Sequence, residues 1–146
     1  MTNFNFSHIS ANGHIHMIGI GGISMSALAH MLKFFGYSVS GSDRGETEIT
    51  KKLVAAGIDV KIGHSEEHLS DAELVCFTAA IPKDNPELVK ARSLGIPTLE
   101  RAELLGQLMK LYKYPIAVAG THGKTTTTSM LSSVRISSKF LVNRLL

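Results

Sequence analysis

The chain has a single cysteine, Cys76, and no stretch of eighteen consecutive apolar residues. One thiol excludes a disulfide framework and a multi-cysteine metal site, and its place in the apolar run Leu74-Val-Cys-Phe77 predicts a buried, inert side chain. Without a long apolar run no segment reads as a membrane span, and Met1 to Asn12 lacks the charged and apolar regions of a secretory leader. The expectation is a soluble, cytoplasmic chain with no membrane partner.

Charge of one sign is also scarce. Of the net +3, Arg135, Lys139 and Arg144 all fall in the last thirteen residues, which hold no acid, and the rest of the chain balances twelve basic residues against twelve acidic ones. No basic face remains to argue for nucleic acid, and Phe4, Phe6 and Tyr37 are not interleaved with basic residues. Repeats, low-complexity tracts and flexible linkers are absent as well. What is present, 44% apolar residues over a length of 146, excludes disorder and suffices for one ordinary core.

The stretch His14-Ile-His-Met-Ile-Gly-Ile-Gly-Gly-Ile-Ser-Met-Ser-Ala-Leu-Ala-His30 reads as strand, tight turn and helix, with Met25, Leu28, Ala29 and Leu32 on one helical face. Glycines at 19, 21 and 22 carry no Cβ to hold backbone away from a phosphate. The first N–H groups of a helix starting near Ile23 lack an internal partner, so an anion can take them. The spacing Gly19-x-Gly21-x-x-Ser24 approaches the dinucleotide-binding fingerprint, with Ser24 where a third glycine or an alanine belongs. Val39-Ser-Gly-Ser-Asp43 then ends a second strand with an acid about 20 residues past the turn, where a ribose or base contact is expected. His14 and His16 share a strand face, but no third ligand at metal spacing accompanies them, which argues against zinc.

Along the chain, residues 1–12 read as an extended lead-in. Gly36 closes the first helix, Tyr37 to Gly41 alternates as a strand, and Glu46 to Ala56 is a helix with acids first and bases later, closed by Gly57. Ile58 to Ile62 alternates as a third strand, Ser65-Glu-Glu-His68 resembles a capped helical turn, and Ala72 to Thr78 is a run suited to burial on both faces. A helix begins near Asn85-Pro86 and ends at Gly95, Ile96 to Leu99 is a short strand, and Glu100 to Lys113 is amphipathic through Ala102, Leu105, Leu108, Met109 and Tyr112. Strands alternating with helices predict an α/β, Rossmann-like parallel sheet with helices on both faces, over residues 13–113.

A second glycine loop follows. Pro115-Ile-Ala-Val-Ala119 reads as a buried strand running into Gly120-Thr-His-Gly-Lys-Thr-Thr-Thr-Thr128. Amides from Gly120 to Lys124 can cradle a polyphosphate, Lys124 can reach the terminal phosphates, and the Thr125 hydroxyl can hold Mg²⁺. The loop departs from the general phosphate-loop pattern, since Val118 stands five residues before Gly123 and the loop is in effect shorter. Residues 114–133 are therefore expected to be the first strand and phosphate loop of a truncated P-loop domain, followed by an atypical tail at 134–146.

Taken in order, Ile18-Gly-Ile-Gly-Gly-x-x-Met-Ser-Ala-Leu-Ala29, Val39-Ser-Gly-Ser-Asp43, Thr78-Ala-Ala-Ile81, Arg101-Ala-Glu-Leu-Leu105 and Gly120-Thr-His-Gly-Lys-Thr-Thr-Thr127 resemble the Mur ligase family over residues 14 to about 133. Met25-Ser26 is closer to members that take L-alanine than to those that recycle murein tripeptide. The resemblance implies a three-domain, ATP-dependent acid–amino-acid ligase of bacterial peptidoglycan precursor synthesis, much longer than this chain. It implies an N-terminal domain that binds the UDP of UDP-N-acetylmuramate, a central domain that binds ATP and Mg²⁺, and a C-terminal domain that completes the L-alanine site. A carboxylate is a poor electrophile, so the family phosphorylates it, and the alanine amine attacks the acyl phosphate.

Carried over position by position, Gly19, Gly21, Gly22, Ile23, Ser24, Met25 and Ser26 are expected at the diphosphate, and Asp43 at the uracil or ribose. His64 and Thr78, Ala79, Ala80 and Ile81 line the same pocket, and Arg101 supports the substrate side. Gly120, Thr121, His122, Gly123, Lys124, Thr125 and Thr126 hold ATP, with Lys124 in the catalytic role and Thr125 on Mg²⁺. Ser24 stands where the family usually has glycine. Ser132 to Leu146 does not resemble the family's continuation, so the chain is expected to bind the UDP-sugar without catalysing ligation. Two other classes stay open on the residues alone: an NAD-type dinucleotide-binding module, and a non-catalytic regulatory or decoy subunit.

Overall fold

Five strands form one parallel sheet in the order β3-β2-β1-β4-β5. They are β1 (His14–Ile18), β2 (Ser38–Asp43), β3 (Asp59–Ile62), β4 (Leu74–Phe77) and β5 (Thr98–Glu100). Four helices alternate with them, α1 (Ile23–Phe34), α2 (Glu48–Ala55), α3 (Pro86–Ser93) and α4 (Arg101–Met109), and a 3₁₀ turn, Glu66–Leu69, precedes β4. These elements were obtained from a computed structural model, which describes residues 6–113, 115–116, 118 and 121–133. The chain divides into two compact units, Met1–Leu108 and Met109–Leu146, the second containing α5 (Lys124–Ser133).

From β1 the chain steps outward through α1, β2, α2 and β3, then returns past β1 to β4 and steps the other way through α3 to β5. Right-handed crossovers moving in opposite directions put α1 and α2 on one face and α3 on the other. The order therefore reverses between β1 and β4, and a crevice opens beyond the carboxyl ends of those two strands.

Local chemistry starts the helices where they are needed. Thr47 caps α2 in a reciprocal box with Thr50, and the Asn85 side chain accepts from the N–H groups of Glu87 and Leu88, with Pro86 supplying the first turn of α3. The buried stripe of α1 is Met25, Leu28, Ala29, Met31 and Leu32. On the α3 face Ile18, Leu69, Ala72, Val75, Leu88 and Ala91 pack as one cluster. Cys76 is fully buried, and burial pushes its thiol up to about 12, which keeps it inert at neutral pH.

Several expected elements differ. The lead-in contains a 3₁₀ turn at Phe6–His8, because the Phe6 ring is buried against Tyr37 with centroids 5.5 Å apart. Pairing at β5 begins after Pro97, which has no N–H for the ladder and instead accepts from Val75 through its carbonyl. Helix α4 stops at Met109 and buries Leu104 and Leu108, whereas Ala102 is exposed. Of the strand expected over 115–119, residues 115, 116 and 118 lie in no strand and Ile116 is 48% exposed, while Ala117 lies outside the described residues. A buried parallel strand needs neighbours in the ladder, and among the described residues none pairs with this segment. Ala119, Gly120 and the tail at 134–146 lie outside the described residues. Among the described residues no helix is long and apolar enough to cross a membrane.

Candidate nucleotide site

The turn between β1 and α1 is braced from below. The N–H groups of Gly19 and Ile20 both donate to the Ser42 carbonyl, at 2.8 and 3.0 Å, and the Gly21 N–H donates to Asp43 Oδ2 at 2.8 Å. Gly19 has φ +81°, a left-handed conformation that glycine adopts without strain. Gly41 in β2 makes room for the turn: a Cβ there would lie 2.5 Å from the Met17 carbonyl oxygen and 2.7 Å from Ile20 Cδ1. Ile20 therefore plugs the core directly beneath the loop.

What this bracing leaves open is the start of α1. Its cap, Gly22, offers no side chain, and the first intrahelical bond runs from the Ser26 N–H to the Gly22 carbonyl. The N–H groups of Ile23, Ser24 and Met25 precede that bond and have no protein partner among the described residues. They form the positive end of the helix dipole.

In front lies a cavity of about 670 Å³, lined by Gly19, Gly21, Gly22, Asp43, Arg44, His64, Thr78, Ala80, Ile81, Pro82, Asp84, Asn85 and Pro86. Its size suits a nucleotide-sized ligand. It sits at the carboxyl ends of β1, β2 and β4, where the strand order reverses. Thr78 and Ile81 form the far wall, both about 3.6 Å from the position a Cβ on Gly19 would take.

Behind the cavity, on the α3 face, runs a polar network. Glu87 is fully buried. Its carboxylate accepts from Ser42 Oγ at 2.6 Å, His68 Nδ1 at 2.8 Å, the Ser65 N–H at 3.1 Å and His16 Nε2 at 3.2 Å. Burial alone would raise this carboxyl, but the bonds from His16, Ser42 and His68 outweigh it and hold it at about 2. His16 Nδ1 and His14 Nε2 both meet Ser40 Oγ, at 2.8 and 2.7 Å, and His14 Nδ1 lies 2.6 Å from Asp71 Oδ1. The His14 contact lowers the Asp71 carboxyl. The alternating polar positions of β1 and β2 thus serve a hydrogen-bonded network, and no group of three metal-ligating side chains occurs among the described residues.

The sequence profile of the Mur ligase family catalytic domain matches residues 14–113. The chain belongs to the Mur ligase family. It is 60% identical to the UDP-N-acetylmuramate-L-alanine ligase of Acetivibrio thermocellus over 125 residues, covering 86% of this chain and 27% of that one. Against the enzyme of the same name from Clostridium novyi it is 56% identical over 136 residues, 93% of this chain and 30% of the relative. Among solved structures, the UDP-N-acetylmuramate-alanine ligase of Thermotoga maritima superposes with a TM-score of 0.76 at 42% identity, covering 82% of this chain and 28% of that one. A murein peptide ligase of Psychrobacter arcticus gives 0.74 at 34%, covering 82% and 25%. The chain thus spans less than a third of the length of these Mur ligase relatives.

The Mur ligase residues expected from sequence divide by position. Gly19, Gly21, Gly22, Asp43, His64, Thr78, Ala80 and Ile81 are brought together around the cavity, and Ile23 and Ser24 stand at the open helix start. Met25 is wholly buried in the core face of α1, so only its backbone N–H can meet a ligand. Ser26 Oγ donates to the Ile23 carbonyl, Ala79 is exposed outside the cavity lining, and Arg101 begins α4 away from that lining. In the second unit, Thr121, His122, Gly123, Thr125 and Thr126 are exposed, Lys124 is half-buried, and Gly123 has φ +76°.

Sequence reasoning missed Glu87, Ser42, His16 and His68, and on the cavity wall Arg44 and Asp84. A signal for Glu87 was available. It stands four residues before Ala91 and next to Leu88, on the stripe that α3 buries.

Proposed function

We propose that this chain is the UDP-sugar-binding part of an ATP-dependent ligase that joins L-alanine to UDP-N-acetylmuramate in the cytoplasmic assembly of peptidoglycan precursors. One observation carries the reading: three N–H groups at the start of α1 with no partner among the described residues, behind a turn held by Ser42 and Asp43, open onto a cavity of nucleotide size. A diphosphate satisfies those donors and meets the helix dipole with the favourable sign. The names of the relatives supply the nucleotide sugar and the amino acid.

The loop before α5 suits the second nucleotide of such a ligase. The N–H groups of Thr125 and Thr126 precede the first helical bond, Thr127 N–H to the Gly123 carbonyl, and a Cβ on Gly123 would meet none of the described residues within 4 Å. In this reading Lys124 contacts the terminal phosphates and Thr125 the Mg²⁺. Bound ATP supplies the phosphoryl group that turns the substrate carboxylate into an acyl phosphate, on which an amine can act.

Calorimetric titration of the purified chain with UDP-N-acetylmuramate, with NADH as control ligand, tests the reading. Selective binding of the UDP-sugar is expected. Binding of NADH alone would make the site a dinucleotide module, and binding of neither would reduce the turn to a device that packs α1 on the sheet.

A further inference from the structure

His64 lines the cavity wall, and its ring is tied to the buried network by one nitrogen only. Nδ1 lies 3.1 Å from Ser42 Oγ and 3.5 Å from Glu87 Oε1, and Nε2 has no partner among the described residues. Ser42 has a single hydroxyl proton, which it donates to Glu87 Oε2 at 2.6 Å. Its oxygen can then only accept from the ring, so the His64 proton sits on Nδ1 and the lone pair on Nε2.

We propose that Glu87 is a positioning residue of the nucleotide cavity, which through Ser42 fixes His64 in the Nδ1–H tautomer and so offers Nε2 as an acceptor to a hydroxyl or imide N–H of the bound nucleoside. This rests on the nucleotide reading of the cavity. A carboxylate behind a histidine sets its tautomer and ring orientation in the same way at metal and catalytic sites. The placement also accounts for a costly feature. A buried ionised acid is seldom better for stability than an apolar side chain of its size, so a role at the adjoining cavity explains its presence better than packing does.

The charged group at His64 is Glu87 on α3, whose carboxylate also meets His68 on the 3₁₀ turn and His16 on β1, and Asp43, Arg44 and Asp84 share the cavity lining with His64. The test therefore fixes the pH at 7.5 and changes one side chain at a time.

The experiment combines calorimetric titration of the whole chain with UDP and ¹⁵N–¹H correlation spectra of its histidine rings. Wild type is expected to show His64 protonated on Nδ1. In Glu87→Gln the new amide can donate to Ser42, whose hydroxyl then turns to His64 Nδ1 and sends the ring proton to Nε2. UDP affinity is expected to fall roughly tenfold, the weight of one hydrogen bond. Ser40→Ala disturbs the same network at His14 and His16 without touching His64, and is expected to leave UDP affinity unchanged. If Glu87→Gln does not fold, Ser42→Ala takes its place with the same readouts.

The outcomes separate the two readings. Wild type that binds no UDP removes the nucleotide reading and this inference with it. Wild type that binds UDP, beside a Glu87→Gln variant with unchanged affinity and tautomer, overturns this inference alone. An equal loss in Ser40→Ala overturns it too, since the network would then act only by holding the fold.

Discussion

Two glycine-rich turns in this chain lead into helices, and the sequence makes them look alike. The first is braced. Gly19, Ile20 and Gly21 each donate a backbone hydrogen bond to the end of β2, and the atoms nearest to Cβ positions on Gly21 and Gly41 lie at 2.7 and 2.5 Å. The second has Thr121, His122 and Gly123 exposed, and among the described residues nothing lies within 4 Å of where a Cβ on Gly123 would go. A glycine motif becomes a shaped cavity where a neighbouring strand end fixes its backbone and leaves the helix donors over. Glycines alone supply only the permission.

The strongest way to break the contrast is at Gly41. A methyl group there points at the Met17 carbonyl oxygen, which is backbone and cannot step aside, and at Ile20, which is wholly buried. Gly41→Ala is expected to cost roughly 3 kcal/mol and to lower the melting temperature on the order of 15 °C, read by circular dichroism. An unchanged melting temperature would mean that the turn does not depend on its close approach to β2.

Next in size is an acid effect that belongs to the braced region. Glu87 titrates at about 2 in the folded chain against an ordinary value of 4.5. Its depressed value gives stability that is fully present above pH 4.5 and is lost as pH falls toward 2, in total about 3 kcal/mol. Denaturant midpoints measured across that window should fall in wild type and fall less in Glu87→Gln, which has no carboxylate to protonate. Equal slopes in the two proteins would remove Glu87 as the source.

Much of this architecture was legible in the sequence because it rests on local rules. The alternation of β2 and β3, the glycines after α1, α2 and α3, and Asn85-Pro86 at the start of α3 each specify their own element. Residues of the cavity carried by one continuous motif were legible for the same reason, as were Gly19, Gly21 and Gly22 in the first turn and Thr78, Ala80 and Ile81 after β4. Glu87 was not, because its meaning comes from partners on β1, β2 and the 3₁₀ turn, between 19 and 71 residues away in the chain. At Pro115, Ile116 and Val118, the described part of the strand expected over 115–119, the opposite cause applies: they lie in no strand. The apolar run satisfies a local rule, but a strand exists only through its neighbours, and Ile116 stays half exposed.

The smallest expected effect sharpens the comparison most. Gly21→Ala places a Cβ 2.7 Å from Asp43 Oδ2, the end of a side chain that can move, so the fold should survive at a cost of about 1 kcal/mol. Moving Asp43 breaks its bond to the turn, however, and UDP affinity should fall by roughly tenfold or more. Gly123→Ala meets no atom of the described residues and carries the strain of its φ of +76°, about 1 kcal/mol, within the second unit. Neither UDP affinity nor the unfolding midpoint of residues 1–108 should shift. A loss of UDP binding in Gly123→Ala equal to that in Gly21→Ala would show that the second loop also takes part in holding the UDP-sugar, and that bracing by β2 is not what makes the first turn a site.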